Sequence, residues 1–199
     1  MEPDGVLGRD TTDRRQVPPP CCNLFLVGYR CCGKTSVGRL LADRFGWRFV
    51  DTDALVVERA GSDIAAMIEG EGWAFFRRLE TRILKDVCRR SGQVVATGGG
   101  IVLAPENTAL MRRCGKVVWL QAQPETILRR MATDPASPGQ RPALSDDPVA
   151  EEVVRTLAER RPLYTAAMDK TWFTDDHSPD QLAGMIQAAW PSAGRPDYG

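Results

Sequence analysis

The feature that most constrains the fold is the octet Gly28-Tyr29-Arg30-Cys31-Cys32-Gly33-Lys34-Thr35, which fits the pattern G-x-x-x-x-G-K-[ST]. It stands between a short apolar run, Asn23–Val27, and a stretch with helical spacing at Val37, Leu40, Leu41 and Phe45. A strand that passes through a glycine loop straight into a helix gathers backbone N–H groups and the positive helix end around one point, which suits phosphate. On this reading Gly28 is a nucleotide contact and Gly33 lets the backbone come close. Lys34 places a cation on the outer phosphates, and Thr35 offers its hydroxyl to a magnesium ion. Cys31, Cys32 and Ser36 complete the expected nucleotide contacts.

Beyond the octet, strand and helix patterns alternate. Arg48–Val50 reads as a second strand, followed at once by Asp51 and Asp53. Gln93–Ala96 is a third, ended by Gly98-Gly99-Gly100; Lys116–Leu120 is a fourth and Lys170–Thr174 a fifth. Helices are expected from Lys34 to Phe45 with Gly46 as C-cap, after Asp53, and at Ile64–Ile68 behind a Ser62-Asp63 cap. Four more are expected at Trp73–Arg89, Pro124–Met131, Val149–Met168 and Pro179–Trp190. No element is assigned between Gly100 and Lys116. The alternation predicts an α/β fold, a three-layer α/β/α domain on a central five-stranded parallel sheet. Ligands of such sheets sit at the carboxyl ends of the strands, so segments 28–35, 51–53 and 98–100 are expected to converge on one rim. Residues 21–190 are assigned to this single domain, 1–20 to a disordered leader and 191–199 to a tail. The loop 132–148, rich in Pro, Asp and Ser, reads as a lid.

Composition narrows the partners. With 26 basic and 26 acidic residues the formal charge is zero, which gives no ground for a nucleic-acid partner. No apolar run approaches the roughly 20 residues of a membrane span, and the N-terminal segment lacks the apolar centre of a signal peptide. The expectation is a cytoplasmic protein without a membrane partner. Six cysteines and one distant histidine, His177, fit no zinc spacing and read as free thiols.

The phosphate loop leaves several enzyme classes open. The Asn-Lys-x-Asp sequence of signalling GTPases is absent, and the chain is short for a motor ATPase. The second strand ends in acid, as suits a compact metabolite kinase, with Asp51 near the magnesium and Asp53 facing the acceptor. An anionic acceptor is best held by guanidinium forks, and Arg77 and Arg160 are candidates on separate helices. Glu80 shares a helix face with Arg77 and can orient it, while Gly98–Gly100 offers unobstructed backbone N–H groups. Each has an everyday alternative: a solvated Arg77–Glu80 pair, a plain glycine loop, an exposed Arg160, and Asp51 with Asp53 as helix caps. A gluconate-type kinase and a non-catalytic ATP-binding regulator are the rival functions.

The segments GYRCCGKTSVGRLLA, FVDTD, EGWAFFRRLE, VVATGGGIVL, QRPAL and ERRPLY, in this order across about residues 23–175, resemble the shikimate kinases. The form of FVDTD and EGWAFF is most similar to the second isoform type of that family, whose fold is that of nucleoside-monophosphate-type P-loop kinases. The resemblance implies ATP-dependent phosphorylation of the 3-hydroxyl of shikimate, with magnesium, on the way to chorismate and aromatic amino acids. It implies that Asp53 binds the substrate hydroxyls and acts as base, and that Asp51 serves the magnesium. Arg77, Gly98, Gly99, Gly100 and Arg160 would hold shikimate. Arg141 would close from the lid over the phosphates, with Arg130 as the nucleotide-side arginine. A monomer is the family's usual state.

Overall fold

A computed structural model of the chain describes residues 23–134 and 148–190. Five parallel strands form one sheet in the order β2-β3-β1-β4-β5, with β1 Asn23–Val27, β2 Arg48–Asp51, β3 Gln93–Ala96, β4 Gly115–Gln121 and β5 Lys170–Phe173. Each predicted strand is present to within a residue at its ends. Side chains of a strand alternate between faces, and here each face has its own core. Phe25 and Val27 join Val95, Val117 and Trp119 on one side. Leu24 and Leu26 join Val94, Val118 and Leu120 on the other. Phe25, Leu26 and Val27 are wholly buried, and burying such a side chain contributes about 1.5–3 kcal/mol, so the central strand is a firm seat for the loop that follows it.

Helices cover both faces. They are α1 Lys34–Phe45, α2 Thr52–Ala60, α3 Ile64–Val87, α4 Pro105–Cys114, α5 Pro124–Thr133, α6 Val149–Ala167 and α7 Pro179–Ala189. The two helices expected at 64–68 and 73–89 form one element, α3, broken internally at Gly72, whose φ of 79° and ψ of 166° are not helical. That backbone favours glycine, and the break lets the two halves keep separate directions. Two elements went unassigned in the sequence: α4 and the 3₁₀ turn Ile101–Leu103 before it. Their signals are Pro105 in the first turn and the buried Leu110, Met111 and Cys114. Among the described residues Cys32 and Cys114 are free thiols, and no helix is long and apolar enough to cross a membrane.

Candidate active site

The phosphate loop runs from the end of β1 into α1. Gly28 has a φ of 141°, and a side chain there would run into the Leu120 carbonyl on β4, so glycine is required by conformation and by space. Gly33, at φ 94°, is the left-handed residue from which α1 starts. Cys31 at φ 59° is the single non-glycine residue with positive φ among those described. The Lys34 ammonium donates to the carbonyls of Gly28 and Tyr29, both at 2.8 Å, which holds it inside the curve of the loop.

The second carboxyl end brings in the acids. The Asp51 side chain accepts from the N–H groups of Asp53 and Ala54 and so caps α2. Its other oxygen accepts from the Thr35 hydroxyl at 3.1 Å. The everyday reading of Asp51 as a cap is therefore present together with a link to the phosphate loop. Asp53 lies in the first turn of α2 beside Gly98, where an added side chain would meet both Asp53 Oδ1 and Glu80 Oε1. The Gly98 N–H donates to Thr52 Oγ1 at 3.0 Å, which ties the triple glycine to the start of α2.

The third end carries the triple glycine, and two helices bring arginines to it. On α3, Arg77 donates to Glu80 Oε2 at 2.6 Å, and Glu80 is fully buried. The pair is thus no solvated surface contact. Burial pushes the Glu80 carboxyl above its usual range; neighbouring Arg77 pulls it down, and Asp53 pushes it up. Its Oε1 has no hydrogen-bond partner among the described residues. The Arg77 guanidinium packs on the Phe76 ring and against Gly100, whose lack of a side chain makes the room. On α6, Arg160 donates to the Gly99 carbonyl at 3.1 Å, and the buried Tyr164 hydroxyl donates to the same carbonyl at 2.6 Å. Burial raises the Tyr164 pKa, which keeps it a neutral donor.

The phosphate loop, the two acids and Gly99 share a cavity of about 490 Å³, walled by Lys34, Thr35, Ser36, Asp51, Asp53 and Gly99 among others, whereas Arg77 and Arg160 do not line it and join it only through their contacts with Gly100 and Gly99. A second cavity of about 360 Å³ adjoins it along Cys31, Gly33, Ser36 and Asp134 and reaches Arg130, Thr174 and His177. Arg130 donates to the Cys31 carbonyl and, twice, to Thr174, so it braces the phosphate loop against the end of β5. Cys32 is buried under the loop. The three segments at the strand ends therefore meet on one rim, as the alternation of elements required. Arg141 and most of the lid assignment lie outside the described residues.

Sequence reasoning missed a further contact set. The side chains of Tyr29 and Arg30 both reach Glu152, a buried carboxylate in the first turn of α6. Cys31 Sγ lies 3.7 Å from Asp134 at the end of α5. A glutamate at a helix start reads as an ordinary first-turn acid, and nothing in its spacing announces a partner 122 positions away. No three His, Cys, Asp or Glu side chains converge as a metal cage among the described residues. Thr35 and Asp51 instead form an all-oxygen pair at the mouth of the loop.

The comparisons agree with this geometry. The family model described as shikimate kinase matches residues 30–190. A shikimate kinase of Nitratidesulfovibrio vulgaris is 49% identical over 146 residues, which is 73% of this chain and 83% of its relative. A protein named shikimate kinase 2 from Enterobacter sp. (strain 638) is 44% identical over 166 residues, 83% of this chain and 94% of that one. Among solved structures, the shikimate kinase of Acinetobacter baumannii in complex with shikimate aligns with a TM-score of 0.79 at 32% identity, over 85% of this chain and 93% of that one. A family model that matches residues 30–190 and a relative 49% identical over 146 residues place the phosphate loop and its paired acids in one context: the chain belongs to the shikimate kinase family.

Proposed function

We propose that this chain transfers the terminal phosphoryl group of ATP to the 3-hydroxyl of shikimate, giving shikimate 3-phosphate and ADP in the route to chorismate and aromatic amino acids. The observation that carries the reading is the position of Asp53. It lies in one cavity with the phosphate loop and beside the Glu80 carboxylate that pairs with Arg77. A nucleotide laid along the loop would extend its base toward the adjoining cavity by Arg130 and Thr174.

The roles follow from charge and reach. Arg77 and Arg160 hold the acceptor carboxylate, and the Gly98–Gly100 backbone lies against its ring. Glu80 fixes the Arg77 fork. Lys34 neutralises the β- and γ-phosphates from within the loop, and Arg141 adds a second cation from the lid. Asp53 aligns the 3-hydroxyl with the γ-phosphorus and takes its proton as the new O–P bond forms and the bond to the ADP oxygen breaks. Thr35 and Asp51 suit magnesium, which takes one or two carboxylates and leaves its remaining positions to phosphate and water. When bound, the ion spreads the charge of the β- and γ-phosphates. A cytoplasmic monomer belongs to the same proposal; sedimentation analysis checks the second half of it.

The test is ADP release with magnesium and ATP in the presence of shikimate, of gluconate, or of no acceptor. Release that depends on shikimate is expected. Release with gluconate alone would overturn the roles of Arg77 and Arg160, and no release despite tight ATP binding would overturn catalysis itself.

A further inference from the structure

A further concavity lies apart from the catalytic one. A cavity of about 580 Å³ lies between the edge strand β2, the outer side of α2 and the last turns of α3. Its floor is apolar: Val50, Ile83 and Val87 are buried, and Leu55 is half-buried. Its rim carries four arginines, Arg48, Arg59, Arg89 and Arg90, against two carboxylates, Glu58 and Asp86. Asp86 pairs with both Arg59 and Arg89, each at 3.3 Å. Among the described residues Arg48 and Arg90 have no ion-pair partner.

Like charges gathered around one hollow repel one another, and the arrangement is relieved when an anion enters. The backbones that carry the two unpaired guanidiniums are held firmly. The Arg48 N–H donates to the Gly92 carbonyl, and the Arg90 carbonyl accepts from the side chains of Asn23 and Gln93. The backbone of the seat is therefore fixed, and an apolar floor under a cationic rim selects a ligand that has both an anionic group and an apolar body. We propose that this cavity is a second ligand site, for a small organic carboxylate or phosphate ester carried on a ring or short apolar chain.

The site also has a route to the catalytic centre. Helix α2 is the wall between the two cavities: Asp53, Ala54 and Val57 face the catalytic one, Leu55 and Arg59 face the second, and Glu58 lines both. A ligand against Arg59 and Leu55 would lie on the helix whose first turn carries Asp53.

Phenyl phosphate is a suitable probe, with inorganic phosphate and benzyl alcohol as charge-only and ring-only controls. Calorimetry on the full chain saturated with shikimate and magnesium ADP keeps the probe out of the catalytic cavity. One site for phenyl phosphate is expected, at least tenfold tighter than either control. In the Arg48→Gln, Arg90→Gln double variant that affinity falls at least tenfold, while kcat and both KM values without probe stay within twofold of the parent. Equal binding of inorganic phosphate would reduce the site to a charged patch and overturn the proposal. So would unchanged phenyl phosphate binding in the double variant, or no binding to the parent chain. Since Arg48 and Arg90 line this cavity and not the catalytic one, the loss of binding in the double variant stands apart from whether shikimate is the acceptor.

Discussion

Glu80 is pulled in two directions. Its carboxylate must be charged to hold Arg77, yet it is fully buried with one oxygen unpartnered. Desolvation wins, so its pKa lies above the usual carboxylate range. The native protein then keeps this proton longer than the unfolded chain does. Its contribution to stability is greatest below the ordinary carboxylate range and is lost as pH climbs through the raised value. Glu80→Gln should therefore show a flatter melting temperature against pH than the parent, from about pH 4 to 8. Parallel curves in calorimetry would refute the assignment. Two exchanges address the chemistry itself. Asp53→Asn keeps size and removes the base, so kcat should fall by roughly 10²–10⁴ while ATP binding is nearly unchanged. Arg77→Ala should raise the KM for shikimate, with the KM for ATP left in place; an unmoved shikimate KM sinks the carboxylate role. The residue scale is also where the sequence is least complete. Arg77 and Glu80 can be placed on one face by counting, but their seating depends on the glycines opposite, Gly100 leaving room for the guanidinium and Gly98 for the carboxylate.

At the level of elements, one side chain often secures an end and serves the site. Asp51 caps α2 with one oxygen and meets Thr35 with the other. Asparagine is as good a cap as aspartate but carries no charge. Asp51→Asn should therefore leave the melting temperature close to the parent and raise the magnesium needed for half-maximal rate. Asp51→Ala should lose about 1 kcal/mol of cap as well, a drop of roughly 2–4 °C in a domain of this size. If both variants melted alike, the cap would be idle. Gly98→Ala would press on Glu80 and Asp53 together, so shikimate affinity should suffer more than ATP affinity. The elements themselves were legible where periodicity was strong, as in β1 and α1. They were not legible in α4, where Asn107 is buried and bonded to the Ile101 carbonyl at 3.2 Å, a polar residue in an apolar position. Nor was Glu152, since the pairing of α6 with Arg30 is a tertiary fact with no local signature.

For the whole molecule, the rim was predictable because topology dictates it: parallel strands aim all their carboxyl ends one way. The braces between distant parts were not, because they join segments far apart in the chain, as Arg130 does to Thr174. The strand order has a further effect. β1 carries the phosphate loop, but its two neighbours are β3 and β4; Asn23 is in register with Gln93 on one side and Gly115 on the other. Of these strands the first made must therefore wait for the third and the fourth before both its edges are paired. Contacts so distant close slowly, and until they close an apolar strand waits in water. On the ribosome the glycine loop must remain shapeless until β4 has left the exit tunnel, however early its codons are read. In a series of arrested nascent chains, retention on immobilised ATP should appear abruptly once Gln121 is exposed and not gradually from Thr35 onward. A synthesis that stalls midway therefore leaves a chain with the whole P-loop motif and no hold on nucleotide.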